Sequence, residues 1–189
     1  MLRIVGGKHR GRAIATPEGL ATRPTSNRAR EALFNILAHA NWRSDSISPL
    51  IEARVLDAFA GSGALGIEAL SRGAAHAIFL DSDPTAIKLI GENLRKIGET
   101  AAAKVVRGDA TRPPPTREAC DLVFLDPPYR SNLAGPALTA LAAAGWLKPG
   151  AIATVELANT EDLLPPAGFE VLDERRYGAA KILILRHAS

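Results

Sequence analysis

The stretch Arg54-Val55-Leu56-Asp57-Ala58-Phe59-Ala60-Gly61-Ser62-Gly63-Ala64-Leu65-Gly66 decides how the rest of the chain is read. A mostly apolar run, Arg54 to Phe59, predicts a strand, and Ala64 to Arg72 predicts a helix. Between them lies a glycine turn. Glycines let the backbone approach a ligand closely and leave the first amides of the following helix free, so a nucleotide-containing cofactor is implied. By itself G-x-G-x-x-G is a weak signal. The next strand, Ala77 to Leu80, adds to it by ending in Asp81, where an acid can hold ribose hydroxyls.

The alternation continues along the chain. A helix over Thr85 to Ile97, strands over Lys104 to Arg107 and Asp121 to Leu125, and a helix over Leu133 to Ala144 follow in turn. Lys148-Pro149-Gly150 reads as a turn into the strand Ala151 to Leu157, and Phe169 to Tyr177 and Lys181 to Arg186 read as a terminal hairpin about Gly178. Strands alternating with helices predict an α/β fold built on a parallel sheet.

Nicotinamide dinucleotides and S-adenosylmethionine both carry the ribose that Asp81 would hold. Asp57 separates them. A carboxylate beside the glycine turn repels a pyrophosphate but attracts the cationic amino group of S-adenosylmethionine. Asp109, at the end of the third strand, is placed to accept from the adenine amine, with Ala110 beside it. The predicted cofactor set is therefore Asp57, Phe59, Ala60, Gly61, Ser62, Gly63, Asp81, Asp109 and Ala110.

The apolar run Leu122-Val123-Phe124-Leu125 ends in Asp126-Pro127-Pro128-Tyr129. Proline fixes φ, lacks an N–H and disfavours a helical residue before it, so the chain leaves the sheet as a stiff turn. That turn offers a carboxylate, backbone carbonyls and a ring face, which suit a planar substrate bearing an exocyclic amine. Asp126, Pro127, Pro128 and Tyr129 are the candidate catalytic residues. Cys120 lies at the other end of the same strand and reads as a packing residue, not a nucleophile.

The chain has 189 residues, 47% of them hydrophobic, and one cysteine. That is enough for one main domain and excludes a disulfide framework or a thiol-rich metal site. With no bilayer-length apolar run and no signal-peptide core, the expectation is a cytoplasmic protein without membrane or metal partners. The net charge of +3 is uneven: the first 30 residues hold Arg3, Lys8, Arg10, Arg12, Arg23, Arg28 and Arg30 against Glu18 alone. A basic arm on a mildly acidic body suits a polyanion. Residues 2–15 read as a hairpin about Gly6-Gly7 whose second strand starts at Arg10-Gly11-Arg12. A helix of about three turns follows, with Ala29, Ala32, Leu33, Ile36 and Leu37 on one stripe and Arg28, Glu31 and Asn35 off it. The expected division is an appendage over 1–40 and a catalytic body over 41–189.

With Arg3-Ile4-Val5-Gly6-Gly7, Arg10-Gly11-Arg12, Arg23-Pro24-Thr25, Arg28, Arg30-Glu31, Phe34-Asn35, Asp57 to Gly66, Asp126 to Tyr129 and Tyr177-Gly178, the chain resembles the small-subunit ribosomal RNA guanine-N2 methyltransferase D family. That resemblance implies a Rossmann-like class I methyltransferase with a seven-stranded, mostly parallel sheet, helices on both faces and one antiparallel strand near the end. It implies S-adenosylmethionine as donor and the N2 of a guanine in 16S ribosomal RNA, guanine-966, as acceptor. The partner would be that RNA within the small subunit or an assembly intermediate, and the protein a monomer. The basic residues of the arm, Arg3, Lys8, Arg10, Arg12, Arg23, Arg28 and Arg30, would contact RNA, with His9 beside them. A DNA adenine or cytosine amino-methyltransferase would share both central motifs, and a noncatalytic RNA-binding assembly factor would keep the arm. A protein glutamine methyltransferase is disfavoured, since that family resembles Asn-Pro-Pro-Tyr.

Overall fold

The computed structural model describes residues 2–17, 24–40, 42 and 48–188, with side chains from Arg28 onward in the first helix. The central sheet comprises β3 (Arg54–Ala58), β4 (His76–Asp81), β5 (Ala103–Arg107), β6 (Cys120–Leu125), β7 (Leu147–Ala158), β8 (Phe169–Tyr177) and β9 (Ala180–His187). Its seven strands run in the order β5-β4-β3-β6-β7-β9-β8. β9 alone is antiparallel, pairing that way with both β7 and β8, so the expected mixed sheet is present.

Helices cover both faces. Leu33, Phe34 and Leu37 of α1 (Pro24–His39), Ile67 and Leu70 of α2 (Ala64–Ser71), and Ile90, Leu94 and Ile97 of α3 (Pro84–Ile97) pack with Val55, Phe79 and Phe124. Ala137, Leu138 and Leu141 of α4 (Ala134–Ala143) pack with Leu56, Ile78 and Val123 on the opposite face. Adjacent residues of β3 thus point to opposite cores, which is why buried parallel strands read as continuous apolar runs. Helix α3 is delimited by local chemistry: Asp83 accepts from the Thr85 N–H at 2.8 Å, Pro84 opens the first turn, and Gly98 closes the last at φ 78°.

Three boundaries differ from expectation. Helix α1 has 16 residues, over four turns, because it begins at Pro24, whose fixed φ suits a first helical position. Strand β7 starts at Leu147: the Lys148-Pro149-Gly150 segment bulges within the strand, so that Leu147 pairs with Cys120 and Ile152 with Leu122. In the arm, β1 (Leu2–Arg3) pairs with β2 (Ala13–Ile14), so the second strand begins at Ala13 and not at Arg10, and a single 3-10 turn, Gly7–His9, lies in the connection.

That turn is shaped by docking. A side chain at Gly7, whose φ is 75°, would place its Cβ 1.8 Å from the Ser71 carbonyl oxygen. Buried Glu68 of α2 accepts the Val5 N–H on Oε2 and the Gly6 N–H and Arg72 Nε on Oε1, each at 2.8 Å. Ser71 Oγ accepts the His9 N–H at 3.0 Å and donates to the Gly6 carbonyl. A Glu68→Ala substitution removes the acceptor for all three Glu68 donors, so it should destabilise the fold by about 3 kcal/mol. Urea unfolding checks this, and an unchanged midpoint would refute anchoring through Glu68.

Candidate active site

Strand β3 pairs in parallel with both β4 and β6, with Asp57 beside Phe79 on one side and Phe124 on the other. From β3 the chain builds outward to β4 and β5, then returns to lay β6 on the other flank. The order of strands reverses there, and such a reversal opens a crevice at the carboxyl ends of the strands. The glycine turn leaves β3 and the Pro-Pro turn leaves β6 on adjacent strands, so the sequence-predicted cofactor and catalytic segments meet.

The glycine turn is held by the acids around it. Asp81 Oδ2 accepts the Gly61 N–H at 2.8 Å, and its Oδ1 accepts the Asp83 N–H at 2.9 Å. Asp57 is 1% exposed and accepts the Gly66 N–H at 2.8 Å. Phe59 has φ 62°, a conformation that costs a residue with a Cβ and persists where surroundings over-determine it. Gly61 has φ 55°, and a Cβ there would meet no atom within 4 Å, so that face of the turn opens on space a ligand can fill. Ala60 and Ala110 are buried. Asp109 Oδ1 accepts the Thr111 N–H at 2.8 Å and its hydroxyl at 2.7 Å; these bonds, with Arg112 nearby, hold its carboxyl below the usual range.

Asp126 ends β6 with solvent on its outer side and protein behind it. Desolvation, then the charges of Glu156 and Asp57, push its carboxyl well above the ordinary aspartate value. Its solvent-exposed face weakens the desolvation part of that shift. Pro127 is buried, whereas Pro128 and Tyr129 face outward. The following loop is strained, with Arg130 at φ 60° and Asn132 at φ 55°. Glu161 pins it, accepting the Arg130 N–H at 2.7 Å on one oxygen and the Ala158 N–H at 2.8 Å on the other. The Tyr129 hydroxyl donates to Glu156 Oε1 at 2.7 Å.

Glu156 does not stand out in the sequence motifs, although an acid inside the apolar strand Ile152 to Leu157 is itself a signal. Asn93 is equally inconspicuous there. Its Oδ1 accepts the Ala15 N–H at 2.8 Å, while its Nδ2 donates to the carbonyls of Ala15 at 3.0 Å and Ser62 at 2.9 Å. Cys120 is fully buried, and burial pushes its thiol up to about 12, which leaves it inert as a nucleophile.

The arm's cations divide. Arg30 is 6% exposed and donates to the Arg3 carbonyl at 2.8 Å, so it faces the interior and not a solvent-side ligand. Arg12 reaches the C-terminus of α3, donating to the carbonyls of Lys96 at 3.0 Å and Ile97 at 3.1 Å. Lys8 pairs with Glu99 at 2.7 Å, and His9 Nε2 lies 2.5 Å from the same carboxylate. Arg3 donates to the Gly11 carbonyl at 2.8 Å. Arg10 and Arg28 are exposed. Arg23 lies outside the residues whose side chains are described.

A glycine turn and a Pro-Pro turn flanking the switch point of a seven-stranded sheet, with a penultimate antiparallel strand, define a class I methyltransferase. The family model described as Conserved hypothetical protein 95 matches residues 2–186. Ribosomal RNA small subunit methyltransferase D of Haemophilus influenzae is 36% identical over 182 residues, covering 94% of this chain and 89% of that protein. Its Escherichia coli namesake is 37% identical over 180 residues, covering 94% and 85%. The solved structure of yhhF, a presumptive methyltransferase from Escherichia coli, superposes with a TM-score of 0.81 at 33% identity, covering 100% of this chain and 98% of that one. The chain belongs to the ribosomal RNA small subunit methyltransferase D family.

Burial pushes the Asp57 carboxyl up to about 8, with the Gly66 N–H opposing this and the charge of Asp81 adding to it. At neutral pH Asp57 therefore orders the glycine turn chiefly as an uncharged acid and not as the fixed negative charge expected from the sequence. An unfolded aspartate releases its proton near pH ~3.9. The folded chain holds its proton longer, so the stability from this group is full below about pH 4 and is lost as pH rises through about 8. Asp57→Asn keeps a carbonyl oxygen for Gly66. It should flatten that decline in urea titrations at about pH 5 and pH 8.5, and equal declines in both proteins would refute a buried, protonated Asp57.

Proposed function

We propose that this protein transfers a methyl group from S-adenosylmethionine to the exocyclic N2 of a guanine in 16S ribosomal RNA, at guanine-966 by the family resemblance. The observation that carries the reading is the Asp126-Pro127-Pro128-Tyr129 turn beside the glycine turn at the switch point, in a chain of this family. The names of the relatives from Haemophilus influenzae and Escherichia coli support ribosomal RNA as the substrate class.

The residues present fit the cofactor. The open space beside Gly61 would receive it, the amide-fixed Asp81 would offer acceptors to its ribose, and Asp109 and Ala110 would lie on the adenine side. When bound, S-adenosylmethionine supplies an electrophilic methyl group on a sulfonium. An aryl amine is a poor nucleophile because its lone pair is delocalised into the ring. Asp126 and the Pro127 carbonyl accept its two N–H bonds, draw the nitrogen toward tetrahedral geometry and stabilise the positive charge that develops on it. A carboxylate with raised proton affinity is suited to take the proton that the nitrogen must then lose. Tyr129 stacks on a base withdrawn from its RNA context, which costs a few kcal/mol when the base starts stacked. The cationic arm supplies salt-dependent phosphate contacts, and exposed Arg10 and Arg28 are the residues best placed to make them.

The direct test is labelled-methyl transfer to small subunits lacking native methylation, with naked 16S RNA and DNA alongside and nuclease digestion of the product. N2-methylguanosine in ribosomal RNA is expected, and label confined to DNA would overturn the substrate. Asp126→Ala should lower transfer by about 10²-fold or more while cofactor affinity changes by no more than about 3-fold; near-normal turnover would sink the role of Asp126. Charge reversal at Arg10 and Arg28 should weaken RNA binding about 10-fold and reduce its salt slope by about one for each phosphate no longer neutralised. Unchanged affinity would remove the arm from the interface.

A further inference from the structure

Outside the carboxyl end of β6 lies a recess of about 120 Å³, lined by Pro127, Pro128, Tyr129, Leu133, Glu156 and Leu157, among others. Leu125 pairs with Val155, so the next residues, Asp126 and Glu156, stand at neighbouring positions on adjacent strands. Three acids line this recess. Glu161 gives both carboxylate oxygens to backbone N–H groups, and Asp162 pairs with Lys181 at 2.8 Å. Glu156 commits Oε1 to the Tyr129 hydroxyl at 2.7 Å, and among the described residues its Oε2 has no hydrogen-bond donor and serves as an acceptor.

We propose that Glu156 determines base specificity by accepting the N1–H of the target guanine, held in place by Tyr129 while Asp126 accepts from the neighbouring N2 amine. The inference rests on guanine N2 being the acceptor. Guanine presents two adjacent donors on that edge, N1–H and the N2 amine. Adenine and cytosine each present one amine beside a ring-nitrogen acceptor, which would face the carboxylate lone pair to lone pair. A pair of carboxylates therefore selects guanine by attraction and rejects the other two by repulsion.

The surroundings of Glu156 suit the role. Burial holds the Glu156 carboxyl above the ordinary glutamate value, and the Tyr129 bond and the Arg30 guanidinium on α1 oppose that rise in favour of the carboxylate. Asp126 is the further charged neighbour, and its own proton affinity is raised by Glu156. A donor arriving from the substrate acts with Tyr129 and Arg30. The tether also restrains the ring of Tyr129, so the stacking surface and the edge-reading acceptor form one unit.

The test uses reconstituted small subunits carrying guanine or 2,6-diaminopurine at the target position. The analogue keeps the N2 amine and replaces N1–H with a lone pair. The wild-type protein should prefer guanine by at least about 10²-fold in kcat/KM, and Glu156→Gln, whose amide can rotate to donate, should bring the two bases within about 10-fold. S-adenosylmethionine affinity should stay unchanged. Tyr129→Phe keeps the ring, loses the tether and should lower the preference in the same direction. Retention of the wild-type preference by both variants would overturn the inference while leaving the reaction intact. Failure of the wild-type protein to methylate guanine N2 would overturn the reaction and the inference together.

Discussion

Everything at the candidate site depends on β3 being paired with β6 on the flank opposite β4. Parallel strands require crossovers, and crossovers on a twisted sheet have one hand. A chain that builds outward from β3 and then returns must part its connections above the β3–β6 junction. The glycine turn and the Pro-Pro turn occupy that parting. Neither has to be carried there by a long loop, so their spacing inherits the rigidity of the sheet.

Within the parting, acidic side chains act on the backbone first. Asp81 fixes Gly61, Asp57 fixes Gly66, Asp109 fixes Thr111, and Glu161 fixes Arg130 and Ala158. Each acid holds a segment that would otherwise relax, including two stretches with positive φ at Phe59 and at Arg130 and Asn132. Such ordering before a ligand arrives is what positional catalysis requires. It also explains why several acids that the sequence ties to ligands are already hydrogen-bonded within the protein: a carboxylate oxygen has a second lone pair, so orienting a turn and receiving a ligand are compatible.

The sheet, its strand-to-helix rhythm and the two turns are legible in sequence because buried parallel strands, glycine turns and Pro-Pro turns leave local signatures. Glu156, Asn93 and Glu68 are less legible. Each matters through a partner far along the chain, such as Asn93 with Ala15 or Glu68 with Val5, and nothing in the local pattern distinguishes a helix acid that faces water from one that anchors an arm. The cations mislead for the same reason. Charge counts show a basic arm, but they do not separate Arg10 from Arg12, which caps α3, or from Arg30, which is buried. Cumulative charge is readable from composition, whereas its allocation between surface and interior is a tertiary property.

One side chain joins parts usually considered separately. Asn93 holds both the N–H and the carbonyl of Ala15 in the arm, and it also holds the Ser62 carbonyl in the glycine turn. Cut away the arm and a fully buried amide loses two of its three bonds while still gripping the turn with the third. Ala15 and Ser62 are thus joined through one side chain, so the arm is tied to the glycine turn as well as to α2.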